Sequence, residues 1–179
     1  MKKLIVVLAV AAGLAVAGGA NAAGPIGGAT TNADGSVTLN STASPFSAGL
    51  DLAIPSATNV GDLAALSFNY SFPNGCASGV PKLAIITVRG TVTILLDSVA
   101  GFTCAPGTHF LYVLNDATPT DTSQIPGGSA TQTWVPAAKG EFDNLGVIAV
   151  QIQTTGVNQV MTLSNVVLVV VSAGDSPSM

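Results

Sequence analysis

Two cysteines, Cys76 in NGCASGVPK and Cys104 in GFTCAPG, have the widest choice of chemistry in this chain: a disulfide, a pair of zinc ligands or a nucleophile. Zinc would need two further ligands, and His109 is the one histidine present. A nucleophilic cysteine needs a neighbouring base to keep it ionised, and outside a cell it oxidises. A disulfide needs only the partner, and closing the loop between these two would stabilise by about 3.5 kcal/mol in the chain-entropy picture. Pairing of Cys76 with Cys104 is the expectation.

Other reactive groups are sparse. One histidine, one glutamate and no Gly-x-Ser-x-Gly elbow leave little for proton transfer or acyl chemistry. His109 alternates with apolar positions beside Phe110, as a structural histidine does. Glu141 and Asp143 share one short turn, whereas the two carboxyls of a glycosidase flank the sugar from opposite sides, about 5–9 Å apart. No catalytic residue is expected, and the chain reads as non-enzymatic; an extracellular hydrolase of an unfamiliar type is the alternative. Asn115, Asp116 and Asp121 make an oxygen-rich loop that could ligate Ca²⁺, which takes six to eight oxygens, but the same residues are preferred in Asx turns. No metal and no cofactor are therefore expected. Trp134, Tyr70 and Tyr112 could stack on sugar rings, aromatic bodies with a polar handle being suited to that, although Trp134 reads first as a core residue.

The elements that must position these groups are strands. In LSFNYSF, Leu66, Phe68, Tyr70 and Phe72 fall on one face and Ser67, Asn69 and Ser71 on the other. TVTILLD repeats the pattern with Val92, Ile94 and Leu96, and GVIAVQIQTT with Ile148, Val150 and Ile152 inward and Gln151 and Gln153 outward. HFLYVLN sets Phe110, Tyr112 and Leu114 against His109, Leu111 and Val113, so both sides look partly buried. QVMTLSNVVLVVV changes face near Ser164 and Asn165, where a bulge is expected. KLAIITVRGTVTILLD reads as a hairpin turning at Arg89-Gly90. Only PAAKGEFDNLG, 136–146, could be helical, for one or two turns. VVLVVVS, uncharged and rich in β-branched residues, would be a template for an incoming strand if it were an edge; a central strand buried on both faces is the preferred reading.

The chain begins MKKLIVVLAVAAGLAVAGGANAAGP: two lysines, an apolar stretch, then small residues at Ala20 and Ala22. That is the layout of a secretory leader cleaved after Ala22, the apolar run being too short for a span of about 20 residues. Residues 23–36 read as a flexible lead-in, 37–172 as one domain and 173–179 as a disordered tail. Only 8% of residues are charged, against about 25% in ordinary globular proteins. Losing the leader leaves Lys82, Arg89 and Lys139 against nine acidic residues, a formal charge of −6. There is no basic stripe to neutralise phosphates, so neither nucleic acid nor an anionic membrane surface is expected as a partner, nor is insertion into a membrane after the leader is removed. The expected location is outside the cell, or in the periplasm of a host with an outer membrane.

GDLAALSFNYSFPNGCASGVPKLAI, FTCAPGT, DTSQIPGGS and VIAVQIQ with QVMTLSNVVL together resemble a pattern that recurs in secreted bacterial β-sandwich proteins: a Gly-Cys turn, an Asp-Thr-Ser-Gln-x-Pro-Gly-Gly turn and a closing strand. The resemblance spans most of 61–170 and brings no activity with it. The acidic hairpin loop of those proteins is reduced here to Arg89-Gly90-Thr91, and their closing Asp-Asn is Ser164-Asn165; both departures count against calcium. The end strand is also similar, more loosely, to those of bacterial carbohydrate-binding jelly rolls.

Short alternating strands separated by Gly, Pro and Asn turns predict an all-β protein: a single antiparallel β-sandwich, jelly-roll-like, with at most one short helix. The expected function is non-catalytic, in binding or building at the cell exterior, with extracellular polysaccharide or a second copy as partner. A self-assembling surface or fibre subunit using strand addition is the alternative.

Overall fold

The computed structural model describes residues 5–10, 24–43, 47–76, 81–134, 140, 142–154, 156 and 158–171, the first of these ranges for its backbone only. In chain order the strands are β1 (Ile5–Val10), β2 (Gly24–Gly27), β3 (Ala29–Thr31), β4 (Val37–Asn40), β5 (Ala48–Leu52), β6 (Leu63–Ser71), β7 (Lys82–Thr87), β8 (Gly90–Leu95), β9 (Thr108–Val113), β10 (Pro119–Thr120), β11 (Gln132–Thr133), β12 (Val147–Thr154) and β13 (Val160–Val171). One sheet has the order β3-β4-β13-β6-β9, with β1 also on β13; the other runs β2-β5-β12-β7-β8, and β10 and β11 form a small ribbon. All these pairings are antiparallel.

The pairs are nested. β7 pairs with β8, β6 with β9, β5 with β12 and β4 with β13, so the chain is a long hairpin rolled into two facing sheets. That is a jelly roll, and it fulfils the expectation drawn from the strand pattern. Leu66, Phe68, Tyr70 and Phe72 of the first sheet share one buried cluster with Leu50, Leu52, Leu83, Ile85, Ile94, Val150 and Ile152 of the second. Each such side chain contributes about 1.5–3 kcal/mol when withdrawn from water.

Several local expectations change. Residues 24–31, expected as a flexible lead-in, are ordered: β2 joins one sheet and β3 the other. Two glycines make that crossing, because a Cβ at Gly28 would lie 2.1 Å from the Asn40 carbonyl oxygen and one at Gly27 2.5 Å from that of Ser47. The β7–β8 turn is Val88-Arg89, one residue earlier than read. Gly90 pairs with Thr87, and a Cβ there would meet the Gln124 carbonyl oxygen at 2.2 Å. Ile148 is exposed, not inward, because the register of β12 slips between Val147 and Ala149. The bulge expected near Ser164 is present: the register shifts between Ser164 and Val167, and Asn165 takes a φ of 50°.

Of the expected helix, residues 135–139 and 141 lie outside the described residues, as do the tail from 172 onward and residues 1–4 and 11–23 of the leader reading. The described Phe142–Leu145 stretch is a turn closed by the Leu145 amide on the Phe142 carbonyl at 3.0 Å. Two single 3-10 turns that the alternation does not signal occur at Val60–Asp62 and Leu96–Ser98. Among the described residues no helix is long and apolar enough to cross a membrane.

Asp51, in β5 opposite Gln151, lies where its environment opposes its charge. Burial raises its pKa, a hydrogen bond with Gln151 pulls the other way, and Oδ1 has no partner. A carboxyl with a raised folded-state pKa binds its proton more tightly folded than unfolded. Its contribution is therefore full below the ordinary carboxylate pKa and is lost as pH rises through the raised one. Asp51→Asn is expected to raise the melting temperature at pH 7 and to leave it unchanged at pH 3, in thermal unfolding followed by circular dichroism. A variant less stable than wild type at pH 7 would contradict this.

Candidate functional site

Phe110 and Tyr112 occupy successive outward positions of β9, the edge strand of the first sheet. They are 63% and 46% exposed, while Leu111 and Val113 between and beyond them are buried. Two residues of antiparallel strand separate like-facing side chains by about 7 Å, so the two rings form a short exposed apolar row. Register carries that row inward across the sheet. Tyr112 lies opposite Ser67, which faces Val167; Phe110 lies opposite Asn69, which faces Ser164. One step further, Thr108, Ser71, Thr162, Thr38 and Thr30 line up across five strands.

None of these outward residues is buried and none is charged. Asn32 organises one end, its Nδ2 donating to Thr38 Oγ1 at 2.9 Å and to Ser36 Oγ at 2.8 Å, and the Thr38 and Thr162 hydroxyls stand 3.5 Å apart. The face thus combines two exposed rings with hydroxyls and the amides of Asn69 and Asn32. Rings can cover the apolar face of a sugar while hydroxyls and amides exchange hydrogen bonds with its edges.

Of the three aromatics proposed from the sequence, only Tyr112 is on this face. Trp134 is 3% exposed and belongs to the core cluster, so it is not available to stack on a ligand. Tyr70 is 1% exposed: its ring stacks on Phe102 at 5.3 Å and meets Phe68, Phe72 and His109 edge-on or tilted. Its hydroxyl donates to the Thr103 carbonyl at 3.2 Å and accepts from the Thr103 amide at 2.8 Å. Burial pushes the Tyr70 pKa up, against the Thr103 hydrogen bond. Both corrections have one cause: large aromatics fill the space between two sheets before they decorate a surface. Phe110 is the residue that sequence reasoning missed, since both rows of HFLYVLN are apolar. The signal that finds it is the pairing with Ser67, Asn69 and Ser71, a row already legible as outward.

Cys76 and Cys104 form the expected disulfide, with a Cα–Cα distance of 5.3 Å. It ties the chain just after β6 to the chain just before β9, beside Tyr70. His109 lies opposite Tyr70 in the β6–β9 ladder, and its Nε2 is 3.0 Å from the Ala105 carbonyl oxygen, not against a carboxylate. Glu141 is outside the described residues; Asp143 accepts from Asn144 Nδ2 at 2.7 Å.

The calcium candidates turn toward their own backbone. Asn115 Oδ1 accepts from the Ala117 amide at 3.0 Å, and Asp121 Oδ1 from the Ser123 amide at 2.8 Å. The Ser123 hydroxyl and amide hold the Asp121 carboxyl below its ordinary pKa. Asp116 is exposed in the turn between them. These are Asx turns, the arrangement preferred by such residues in loops. Among the described residues no group of three or more His, Cys, Asp or Glu could hold a metal.

Fold and face define a disulfide-stapled jelly-roll sandwich with an uncharged, aromatic-edged outer sheet. No family model, curated protein or solved structure matches the chain.

Proposed function

We propose that the protein is an exported, non-catalytic module that binds a neutral polysaccharide at the cell exterior on the outer face of the β3-β4-β13-β6-β9 sheet. The observation that carries this reading is the exposed pair Phe110 and Tyr112, in register with Asn69 and Ser67 on a face without charge. An uncharged face neither attracts nor repels a neutral polymer, and it gives no electrostatic advantage to an ionic one. A nucleic acid has nothing here to neutralise its phosphates. Export is supported by the leader-like start, and the disulfide suits an oxidising compartment.

The test is affinity electrophoresis and calorimetry against a panel of neutral β- and α-linked glucans, mannans and xylans, with an anionic polymer as control. Phe110→Ala and Tyr112→Ala are each expected to weaken binding about tenfold, equivalent to about 1.4 kcal/mol, and the double variant to abolish it. Both side chains are solvent-exposed, so stability should move by no more than about 0.5 kcal/mol. Failure of the wild-type protein to bind any neutral glycan, or equal binding by the double variant, would refute the proposal.

A further inference from the structure

The long terminal strand β13 changes neighbours at its bulge. On the side away from β6, residues 160–163 pair with β4, and residues 166–171 pair with β1 through six consecutive antiparallel partners, Ile5 opposite Val171 to Val10 opposite Val166. β1 lies within the segment read as a leader. Removing it takes away the only strand that covers the 166–171 side among the described residues and leaves a row of unpaired amides and carbonyls on VVLVVV. Such a row is a template for a further strand.

From this we infer that, in the exported chain, the Val166–Val171 edge docks on the same edge of a second copy; the inference rests on the leader reading and is independent of glycan binding. β1 shows what the edge accepts: an antiparallel, uncharged strand without Gly or Pro, IVVLAV. The edge itself, VVLVVV, meets that description. Parity also fits. Val166, Leu168 and Val170 are buried toward the core, and Val167, Val169 and Val171 are half-buried on the outer side. An antiparallel two-fold pairing with Leu168 opposite Leu168 sets Val167 opposite Val169 of the other copy, so both inward rows stay on one side of a continuous sheet. No charge lies on the edge to oppose it. Because each copy uses the same edge, assembly closes at two and does not grow into a fibre.

The experiment expresses the full chain with its leader, recovers the exported protein and reads its intact mass, then its solution mass by light scattering over a concentration series. Cleavage after Ala22 followed by a concentration-dependent doubling of mass is the expected result. Val167→Lys with Val169→Lys, which sets lysine opposite lysine, should return it to a monomer that still unfolds cooperatively, its melting temperature no longer rising with protein concentration, and a peptide of residues 2–10 should make the wild type monomeric. Hydrogen exchange gives a reading that does not depend on the variant folding: amides of 166–171 should gain protection as concentration rises. A monomer at every concentration with fast-exchanging 166–171 amides would overturn the inference, as would protection already present in the monomer, which would mean that another part of the chain fills the edge. An intact mass that retains residues 5–10 would overturn the leader reading, and with it the open edge, while leaving glycan binding to be judged by its own test.

Discussion

Tyr70→Ala is expected to remove most of the stability of the oxidised protein. Deleting a buried aromatic of this kind costs about 3–5 kcal/mol in lost transfer energy and cavity. Here the ring also stacks on Phe102 and contacts Phe68, Phe72 and His109. The lost hydroxyl leaves the Thr103 amide without its acceptor, a further cost of about 1–2 kcal/mol. Set against a total of about 5–15 kcal/mol for a domain, that sum approaches the whole margin. Tyr70→Phe isolates the hydroxyl and should cost about 1–2 kcal/mol alone. Urea unfolding of the three proteins at equal pH would measure both. A loss below about 1 kcal/mol for Tyr70→Ala would show that the ring is not holding the β6–β9 end of the sandwich.

The second large effect is loss of the disulfide. With a separation of 28 residues between Cys76 and Cys104, opening it as Cys76→Ser with Cys104→Ser restores chain freedom to the unfolded state. The expected destabilisation is about 3.5 kcal/mol. The bond and the Tyr70 hydroxyl act on one short segment: Thr103, held by Tyr70, is next to Cys104. Once the disulfide is gone, that segment is freer to leave in the folded state, so Tyr70→Phe should cost less in the Ser/Ser background than in the oxidised wild type. A double-mutant cycle of unfolding free energies reads this directly, and strict additivity would mean that the two fastenings are independent. The glycan binding proposed for the outer face should survive loss of the disulfide under conditions where the variant is still folded, since Phe110 and Tyr112 lie along the strand and not at its stapled start.

The two devices at this end of the sandwich, the disulfide and the Tyr70 hydroxyl, have a common physical reason. With few charges and only a moderate aromatic content, the stability comes from aliphatic burial between two sheets, and the strand ends fray first because they have fewest neighbours. A covalent tie and a hydrogen-bonded tyrosine fasten the β6–β9 end, holding the chain that leaves β6 and the chain that enters β9.

Much of this was determined by the sequence alone. Alternation in LSFNYSF identifies both the inward row and the outward Ser67, Asn69 and Ser71, because polar and apolar residues separate cleanly there. The change of face at Ser164-Asn165 marks the bulge, since a period of two cannot be interrupted without an extra residue. An even pair of cysteines beside strand ends marks the staple. Where both faces of a strand are apolar, the pattern carries no such information. HFLYVLN presents two apolar rows, and only its pairing with β6 decides that Phe110 and Tyr112 meet solvent while Leu111 and Val113 meet the other sheet. Trp134 is buried because the space between the sheets needed filling. The Gly27-Gly28 crossing and the pairing of β1 with the far half of β13 depend on residues more than a hundred positions away, or on carbonyls brought near only by folding. Local alternation records which side of a strand is dry; which strands share an edge, and which edge is left for a partner, is decided by the tertiary arrangement, because those contacts join parts of the chain that no local pattern relates.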